Sequence, residues 1–329
     1  MKSLALKYRP RAFGEVVGQE NIITILQNQV KTQQVRQAYL FTGGAGTGKT
    51  TVARILADSV NSEVIEIDAA SNNGVEQVRE MRENCKFKPI GKKFKVYIID
   101  EVHMMSTGAF NALLKTLEEP PAHIIFILAT TDPHKIPATI MSRVQKFDFR
   151  RLTLEQICAR LLVIATNENI NIESDALEYI AKLAEGGMRD AITILDTCLG
   201  YKEKLEIADV MNILGYVDYF EYIKLVRAVL REDRATIFLN IESIFISGAD
   251  MKQFIKGLLT FILDVEKVKV LGDFRYVSAP SVYKEQVQEL AESDLNYSLM
   301  FEKIAALSNR LRYENNAKVL IQGELINLW

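Results

Sequence analysis

One motif constrains the fold of this chain more than any other, a glycine-rich loop followed by lysine and threonine. Gly43, Gly48, Lys49 and Thr50 match the pattern G-x-x-x-x-G-K-[ST] at every fixed position. A short apolar segment at 39–42 precedes the loop as a predicted strand, and the opening of a helix follows it. In such a unit the backbone N–H groups surround phosphate oxygens at the positive end of the helix. The motif therefore predicts a nucleotide-binding site, and a glycine-rich turn that happens to precede a helix is the alternative.

The residues of this loop have separate chemical roles. Lys49 is expected to reach the β- and γ-phosphates of ATP, and the Thr50 hydroxyl is expected to ligate Mg²⁺. The residues predicted to hold the nucleotide are Gly43, Gly44, Ala45, Gly46, Thr47, Gly48, Lys49, Thr50 and Thr51.

Hydrophobic patterns around the loop indicate an α/β fold. Short apolar segments alternate with segments of helical spacing, and the strands are predicted at 39–42, 63–68, 94–101, 123–131 and 145–149. Because each strand is apolar almost throughout, we expect a parallel sheet that helices cover on both faces. This first domain is predicted to span residues 1–152.

Helical spacing dominates the rest of the chain. The short connections suit a small helical domain at 153–216, followed by an all-α domain at 217–329. One predicted helix carries a stripe of apolar side chains, namely Phe254, Leu258, Phe261, Ile262 and Val265. Such a stripe is expected in the core, and a subunit interface is the alternative.

Two acidic residues close the third predicted strand. Asp100 is expected to bind Mg²⁺ directly or through water, and Glu101 to orient and deprotonate the attacking water. Acids that simply end a strand in solvent are the alternative, but the upstream nucleotide-binding loop favours catalysis. The tetrapeptide Asp-Glu-Val-His at 100–103 also resembles a helicase box. A helicase of that class needs a second RecA-like domain, which residues 153–329 do not resemble.

Three further residues are candidates for contacts with the terminal phosphate. Thr131 ends the fourth predicted strand, where its hydroxyl could hold the water or sense the γ-phosphate. Arg143 lies at the far edge of the first domain, where it could act as an arginine finger toward a neighbouring subunit's nucleotide. A solvated surface charge is the alternative for Arg143. Arg189 opens a predicted helix of the second domain and is a candidate for another phosphate contact.

Composition limits the remaining classes of function. Lysine and arginine number 40 against 42 aspartate and glutamate residues, so the formal net charge is −2. No overall positive field predicts nucleic-acid binding, and any DNA contact must come from a local surface or from several subunits together. The three cysteines form no C-x-x-C pair, which predicts a reducing compartment without a zinc site or a disulfide framework. No apolar run suits a membrane span and no signal-peptide core is present, so we expect a soluble cytoplasmic protein.

Several segments together resemble one protein family. They are Tyr-Arg-Pro-x-x-Phe at 8–13, Val-Val-Gly-Gln-Glu at 16–20, the nucleotide-binding loop, Ile-Asp-Ala-Ala-Ser at 67–71, Tyr-Ile-Ile-Asp-Glu-Val-His-Met at 97–104, Phe-Asn-Ala-Leu-Leu-Lys-Thr-Leu-Glu-Glu-Pro-Pro at 110–121, Leu-Ala-Thr-Thr-Asp-Pro at 128–133, Ser-Arg at 142–143 and Gly-Gly-Met-Arg-Asp-Ala at 186–191. With these segments the chain resembles the γ/τ subunits of bacterial DNA polymerase III, which are AAA+ ATPases and the motors of the sliding-clamp loader. The resemblance is dense over residues 4–200 and only architectural after about residue 215.

The resemblance implies an architecture and a set of partners. It implies a RecA-like AAA+ domain, a helical lid and a helical collar. Three motor subunits would join a wrench-type and a stator-type subunit in an open pentamer. ATP would close the arc on primer–template DNA and on an opened clamp, and hydrolysis would release the loader.

The resemblance also implies roles for single residues. The implied roles are Walker B for Asp100 and Glu101, sensor 1 for Thr131, a finger acting in trans for Arg143, and sensor 2 for Arg189. The residues implied to enclose the adenine and ribose are Tyr8, Arg9, Pro10, Val17 and Gly18.

The chain departs from the family pattern in three places. Residues 61–63 join the first helix after the loop directly to the second strand, where the family carries a four-cysteine zinc module, so we expect no zinc. Val144 follows Arg143 where the family has cysteine, although the arginine itself is retained. The chain given ends at Trp329, and we expect a short, streamlined form without the long τ extension, of the kind found in a phage or a reduced genome.

DNA contact is expected at helix N-termini. Helices predicted to start near Asn73, at Ser106 and Thr107, and at Lys135 could direct backbone N–H groups at DNA phosphates, with Arg79 as the clearest charged candidate. Binding of this kind follows the shape of the DNA backbone and weakens steeply with salt. Ordinary solvated surface is the alternative for each of these residues.

Two other functions compete with an ATP-driven clamp-loader motor. A non-hydrolysing stator or wrench subunit is one, and the intact Lys49, Thr50, Asp100 and Glu101 argue against it. Another AAA+ motor, such as a branch-migration ATPase, is the second. Those motors close into hexameric rings and usually carry a winged-helix domain with strands, whereas the pattern of 217–329 is helical.

Overall fold

A parallel five-stranded sheet organises the first half of the chain. In the computed structural model, which describes residues 3–202, 204–311, 313–314 and 316–327, the strands are β1 Ala38–Gly43, β2 Ser62–Asp68, β3 Phe94–Asp100, β4 Ile124–Thr130 and β5 Gln145–Phe149. Their order across the sheet is β2-β3-β4-β1-β5, and every neighbouring pair is parallel. All five carboxyl ends therefore meet at one edge, and the predicted α/β fold is confirmed.

Both faces of this sheet are covered by helices. The helices along this part of the chain are α1 Leu4–Lys7, α2 Glu20–Lys31, α3 Lys49–Ser59, α4 Val75–Asn84, α5 Thr107–Glu118, α6 Ala138–Met141, α7 Leu154–Asn167, α8 Ser174–Leu183 and α9 Met188–Thr197. Successive side chains of a strand point to opposite faces. In β1, Leu40 accordingly packs into the core with α4 and α5, whereas Tyr39 and Phe41 pack into the core with α2 and α3. Burial on both faces explains why the strands are apolar almost throughout.

The chain divides into two compact units. The first comprises residues up to 164 together with 184–196, and the second comprises 165–183 and the chain from 197 onward. In the second unit β6 Asn171–Ile172 and β7 Lys204–Leu205 form a short parallel pair. Its further helices are α10 Ile207–Leu214, α11 Tyr219–Leu230, α12 Arg234–Ile246, α13 Met251–Leu271, α14 Lys284–Ala291, α15 Tyr297–Arg310 and α16 Ala317–Leu325.

Helix α13 forms the centre of the second unit. All five side chains of its predicted apolar stripe are at most 1% exposed, so the core interpretation is confirmed and the subunit-interface alternative for this stripe is wrong. Asp264 lies on the same helix, fully buried, and its Oδ2 accepts hydrogen bonds from the backbone N–H groups of Ser278 and Ala279. Burial raises the pKa of this carboxyl group despite those bonds.

Several predicted elements differ in their bounds or type. No α-helix begins at Lys135: this residue ends a 3-10 turn that begins at Pro133, and α6 begins only at Ala138. Glu101 lies beyond the third strand, in a left-handed conformation with φ +46° and ψ 43°. The β6–β7 pair was not predicted, because two-residue strands carry no measurable alternation. Among the described residues, no helix is both long enough and apolar enough to cross a membrane.

Candidate nucleotide-binding site

The glycine-rich loop connects β1, an inner strand of the sheet, to a helix. β1 ends at Gly43, and α3 begins at Lys49 with Gly48 as its N-cap. Gly48 has φ +101°, a conformation that residues with a Cβ rarely adopt, so glycine is required where the chain turns into the helix. The loop thus opens at the N-terminus of an eleven-residue helix, where backbone N–H groups favour an anion.

Lys49 lies inside the loop that it follows. The residue is 6% exposed, and its Nζ donates to the carbonyl oxygens of Gly43 and Gly44, both at 2.8 Å. Burial lowers the pKa of Lys49, while the charges of Glu101 and Asp100 act in the opposite direction. The Lys49 side chain is therefore held by the backbone of the loop, with two carboxylates nearby.

A hydroxyl and a carboxylate meet next to this lysine. Thr50 Oγ1 donates to Asp100 Oδ2 at 2.7 Å, although α3 and β3 are separate elements of the fold. Asp100 Oδ1 accepts the backbone N–H of Glu101 at 3.0 Å, which fixes the other side of the carboxylate. Hard oxygen atoms of these two kinds are the ligands that Mg²⁺ prefers. The pair predicted from the sequence to bind the metal is thus brought together.

Glu101 is fixed by its backbone and by a neighbouring strand end. Its left-handed conformation is uncommon for a residue with a side chain, and such outliers occur often at functional sites. Glu101 Oε2 accepts hydrogen bonds from Thr131 Oγ1 at 2.9 Å and from Thr131 N at 3.3 Å. Thr131 is therefore hydrogen-bonded to the carboxylate that was predicted to be the catalytic base.

His103 also belongs to this cluster, although it was not predicted as a site residue from the sequence. Its Nδ1 lies 3.3 Å from Glu101 Oε2 and 3.0 Å from the hydroxyl of Thr130. The Asp-Glu-Val-His tetrapeptide contained this histidine, but spacing alone did not show that the turn after β3 folds its ring back onto the glutamate. The contact depends on the left-handed turn, which the sequence pattern does not predict.

The start of α9 lies against the tip of the loop. Met188 N donates to Gly46 O at 3.0 Å, and a Cβ on Gly46 would come within 3.0 Å of Gly187 Cα. Arg189, the predicted second phosphate contact, is the next residue and is exposed. Its side chain is therefore carried on a helix start that is already docked on the loop.

Arg151 was also missed by the sequence analysis. It follows β5, the strand next to β1. Its Nε lies 3.8 Å from the position that a Cβ atom would occupy at Gly44. Its guanidinium interacts with Glu185, both with the backbone oxygen and with the carboxylate. The strand order could have indicated this arginine, because the residue after β5 must emerge beside the loop after β1.

The N-terminal segment predicted to enclose the nucleoside lies on the same unit. Arg9 Nε donates to Thr51 Oγ1 at 3.2 Å, and burial, followed by the charge of Arg54, lowers the pKa of Arg9. The backbone oxygen of Tyr8 accepts a hydrogen bond of 3.2 Å from Nη2 of Arg160, a residue of α7.

The other residues of this segment are packed closely. A Cβ atom at Gly18 would lie only 2.6 Å from Leu152 Cδ2. Pro10 and Val17 are half-buried in the same segment, and the contact of Arg9 with Thr51 brings this segment to the first turn of α3.

Arg143 is fixed on the surface by its own chain. Its Nη2 donates to Glu118 Oε1 at 2.8 Å, and its Nη1 donates to Thr139 O at 2.7 Å and to Ser142 Oγ at 3.2 Å. Among the described residues, none of these partners belongs to the glycine-rich loop or to the Asp100–Glu101 pair. The structure therefore does not bring Arg143 into the chain's own nucleotide site.

The helix starts predicted to contact DNA are adjacent in two cases. Ser106 N donates to the backbone oxygen of Asn73 at 3.1 Å, which joins the starts of α4 and α5. Ser106 Oγ also caps α5 by accepting from Ala109 N at 3.2 Å, and Thr107 is exposed. Arg79 is exposed as well, but it pairs with Glu76 at 3.1 Å. The third predicted helix start, at Lys135, is wrong as described above.

Among the residues that the structure describes, no group of three or more histidine, cysteine, aspartate or glutamate residues could hold a metal ion. The expectation that the chain binds no zinc stays a prediction.

Three protein-family models match consecutive parts of the chain. The model described as the DNA polymerase III delta subunit matches residues 18–74 and 63–153. The ATPase lid domain of the DNA polymerase III clamp loader subunit matches residues 156–201. Domain III of the DNA polymerase III subunits gamma and tau matches residues 205–300.

Curated relatives match over almost the whole chain. DNA polymerase III subunit tau of Bacillus subtilis is 38% identical over 98% of this chain and 62% of its own length. DNA polymerase III subunit gamma of Buchnera aphidicola from Acyrthosiphon pisum is 32% identical over 99% of this chain and 98% of its own length. DNA polymerase III subunit tau of Escherichia coli is 37% identical over 81% of this chain, but only 45% of its own length is covered. The chain thus spans two thirds or less of the tau relatives and nearly all of the gamma relative.

Solved structures show the same fold at low sequence identity. The Thermotoga maritima RuvB Holliday junction branch migration motor superposes with a TM-score of 0.52 and 21% identity, covering 68% of this chain and 79% of that chain. A variant of the same protein gives a TM-score of 0.54 at 20% identity. At this identity the likeness supports the AAA+ fold alone.

Proposed function

This chain belongs to the γ/τ family of DNA polymerase III subunits, and from that premise we propose that it is an ATP-hydrolysing motor subunit of a sliding-clamp loader. The main observation in support is that Lys49, Thr50, Asp100 and Glu101 lie close together, with Thr50 Oγ1 2.7 Å from Asp100 Oδ2. A subunit that only fills a structural position has no need of this arrangement. The non-hydrolysing alternative is accordingly disfavoured.

The residues present fit ATP and Mg²⁺. Thr50 Oγ1 and Asp100 are oxygen donors suited to Mg²⁺, and the loop N–H groups with Lys49 suit the phosphates. Mg²⁺ held by these oxygens would supply positive charge that offsets the charge of the nucleotide's phosphates. The protein's own contribution is to place Glu101 beside this pair, where its carboxylate orients a water molecule and accepts its proton.

The docked start of α9 supports a role for Arg189. Because Met188 N is bonded to Gly46 O, a change in the loop on nucleotide binding would move the helix start that carries this arginine. We assign Arg189 to sensor 2 and Thr131 to sensor 1. Tyr8, Arg9, Pro10, Val17 and Gly18 are assigned to the adenine and ribose.

The active site is proposed to be shared between subunits. Arg143 is held at the surface by Glu118, Thr139 and Ser142, none of which belongs to its own chain's loop. An arginine held in this way is suited to a neighbour's γ-phosphate, where it stabilises transition-state charge. The partners are other loader subunits in an open pentamer, the sliding clamp and primer–template DNA.

DNA is proposed to bind through its backbone at the joined starts of α4 and α5. The bond between Ser106 N and Asn73 O places two helix N-termini side by side, which favours phosphate. Asn73, Arg79, Ser106 and Thr107 are the residues assigned to this surface. The domain division proposed with this function is 1–152 for ATPase, 153–216 for lid and 217–329 for collar, and the proposed compartment is the cytoplasm.

Clamp loading onto primed circular DNA tests this function. The loader is assembled with its partner subunits, and the clamp retained on DNA is counted after gel filtration, with ATP, with a non-hydrolysable analogue or with no nucleotide. Wild type should load clamp and leave the DNA in ATP, whereas Glu101→Gln should bind ATP and stay on DNA with the clamp. The exposed Glu285→Gln is the control and should behave as wild type. Clamp loading that proceeds equally with no nucleotide would contradict the proposal.

A further inference from the structure

His103 lies in a turn that the protein core holds in place. The turn is a single 3-10 turn, Val102–Met104, directly after Glu101. Val102 is fully buried in the core beneath the sheet, and Met105 is 7% exposed at the other end of the turn. The histidine side chain itself is 11% exposed. The turn that carries the ring is therefore anchored by a buried residue at each end.

One ring nitrogen of His103 lies close to two side-chain oxygen atoms. Nδ1 lies 3.3 Å from Glu101 Oε2 and 3.0 Å from Thr130 Oγ1. An ionised carboxylate can only accept hydrogen bonds, so an unprotonated Nδ1 would face it with a lone pair. Thr130 Oγ1, in a fully buried residue, already accepts the backbone N–H of Asp132 at 3.0 Å and has a second lone pair. We therefore assign the proton to Nδ1, which hydrogen-bonds to Thr130 Oγ1 and then turns no lone pair toward Glu101 Oε2.

Three contacts consequently converge on one oxygen of Glu101. Thr131 donates hydrogen bonds to Oε2 from Oγ1 at 2.9 Å and from N at 3.3 Å, and His103 Nδ1 lies within ion-pair distance of it at 3.3 Å. No hydrogen bond to Glu101 Oε1 is present among the described residues. One carboxylate oxygen is thus anchored, and the other remains available to water.

We propose that His103 is a positioning residue for Glu101 and that, together with Thr131, it anchors Oε2 so that Oε1 is directed at the attacking water. The inference rests on the proposed ATPase function. A glutamate side chain has three rotatable bonds, and the left-handed backbone conformation of Glu101 fixes only the direction of its first bond. The contacts on Oε2 fix the position of the carboxylate. A displacement of about 1 Å in such a group can cost about 100-fold in rate.

Substitutions at position 103 can distinguish the effect of a donor at Nδ1 from the effect of the size of the ring. In His103→Asn, the side-chain amide nitrogen is the same number of bonds from Cβ as Nδ1 and can donate to Glu101. In His103→Gln, the amide nitrogen is one bond further out and corresponds to Nε2. In His103→Ala, the donor is absent. A merely structural histidine would not distinguish the asparagine from the glutamine variant.

The test is steady-state ATPase activity of the assembled loader with clamp and primed DNA, together with equilibrium binding of a fluorescent ATP analogue. We expect kcat to fall at least about ten-fold in His103→Ala and His103→Gln, to recover to within about three-fold of wild type in His103→Asn, and KM and analogue affinity to stay within about two-fold. The exposed His134→Ala is the matched control and should retain wild-type values.

Each other result overturns the inference. Unchanged kcat in all three His103 variants would show that Thr131 alone positions the glutamate. Equal losses in the asparagine and glutamine variants, or weakened analogue binding, would show a structural role. A rise in kcat in His103→Ala would show that the histidine restrains Glu101 and does not direct it. If wild type itself shows no stimulated ATPase activity, the proposed function fails instead, and the two failures are thereby distinguished.

Discussion

Removing the guanidinium of Arg143 should abolish ATP hydrolysis without weakening ATP binding. The side chain makes its three hydrogen bonds to Glu118, Thr139 and Ser142, so its loss leaves the chain's own glycine-rich loop unchanged. An arginine finger contributes ~10³–10⁵ in rate, equivalent to about 4–7 kcal/mol of transition-state stabilisation. We expect Arg143→Ala to lose that factor in kcat in the assembled loader. Arg143→Lys should recover little, since a lysine lacks the planar fork of donors.

The ion pair that orients this arginine should matter much less. Both side chains are partly exposed, at 33% for Arg143 and 52% for Glu118, and exposed pairs contribute about 0.2–1 kcal/mol. Glu118→Gln should therefore lower kcat by no more than about five-fold. The exposed Arg36→Ala serves as a control and should have no effect.

A mixing assay shows whether the arginine acts on a neighbour. Loaders assembled only from Arg143→Ala or only from Lys49→Ala subunits should both be inactive. Mixed loaders should regain part of the activity, because an intact loop on one subunit can meet an intact arginine on the next. If mixing restores nothing, or if Arg143→Ala alone hydrolyses ATP at the wild-type rate, the shared-site reasoning is refuted.

Three further predictions follow from single contacts. Thr50→Ala removes the hydroxyl bonded to Asp100 and should abolish Mg²⁺-dependent turnover while leaving Mg²⁺-free ADP binding, measured by calorimetry, largely intact; parallel loss of both would contradict the assignment. Phe261→Ala empties a fully buried site on α13 and should lower the free energy of unfolding by about 3–5 kcal/mol in denaturant titrations, and a change below about 1 kcal/mol would contradict its core position. Arg79→Ala should weaken primed-DNA binding. It should also reduce, by about one, the slope of the logarithm of the binding constant against the logarithm of the salt concentration, and an unchanged slope would remove Arg79 from the DNA surface.

The sheet and the loop were predictable because they depend on local, periodic features. β5 was predicted with the same bounds that the structure shows, and the metal pair Thr50–Asp100 was predicted from two motifs at strand ends. Parallel strands present their carboxyl ends at one edge, so motifs far apart in the sequence had to converge there. The apolar stripe of α13 was likewise assigned to the core on helical spacing alone.

The contacts around Glu101 could not be predicted in the same way. They require a left-handed glutamate, a 3-10 turn that returns His103 to the strand end, and the side-by-side placement of β3 and β4. None of these produces a period in the sequence. The helix expected at Lys135 failed for a related reason, since Pro133 and Pro137 confine that segment to a short turn and delay α6 until Ala138.

The central claim is that this chain couples ATP hydrolysis to clamp and DNA, and one measurement tests it most directly. Steady-state ATPase activity of the loader, assembled with its partner subunits, is compared without additions, with clamp, with primed DNA, and with both together. We predict a low basal rate that rises most when clamp and primed DNA are both present, and a complete loss of that rise in Glu101→Gln. A rate that clamp and primed DNA leave unchanged, in a complete and nucleotide-binding assembly, would contradict the account.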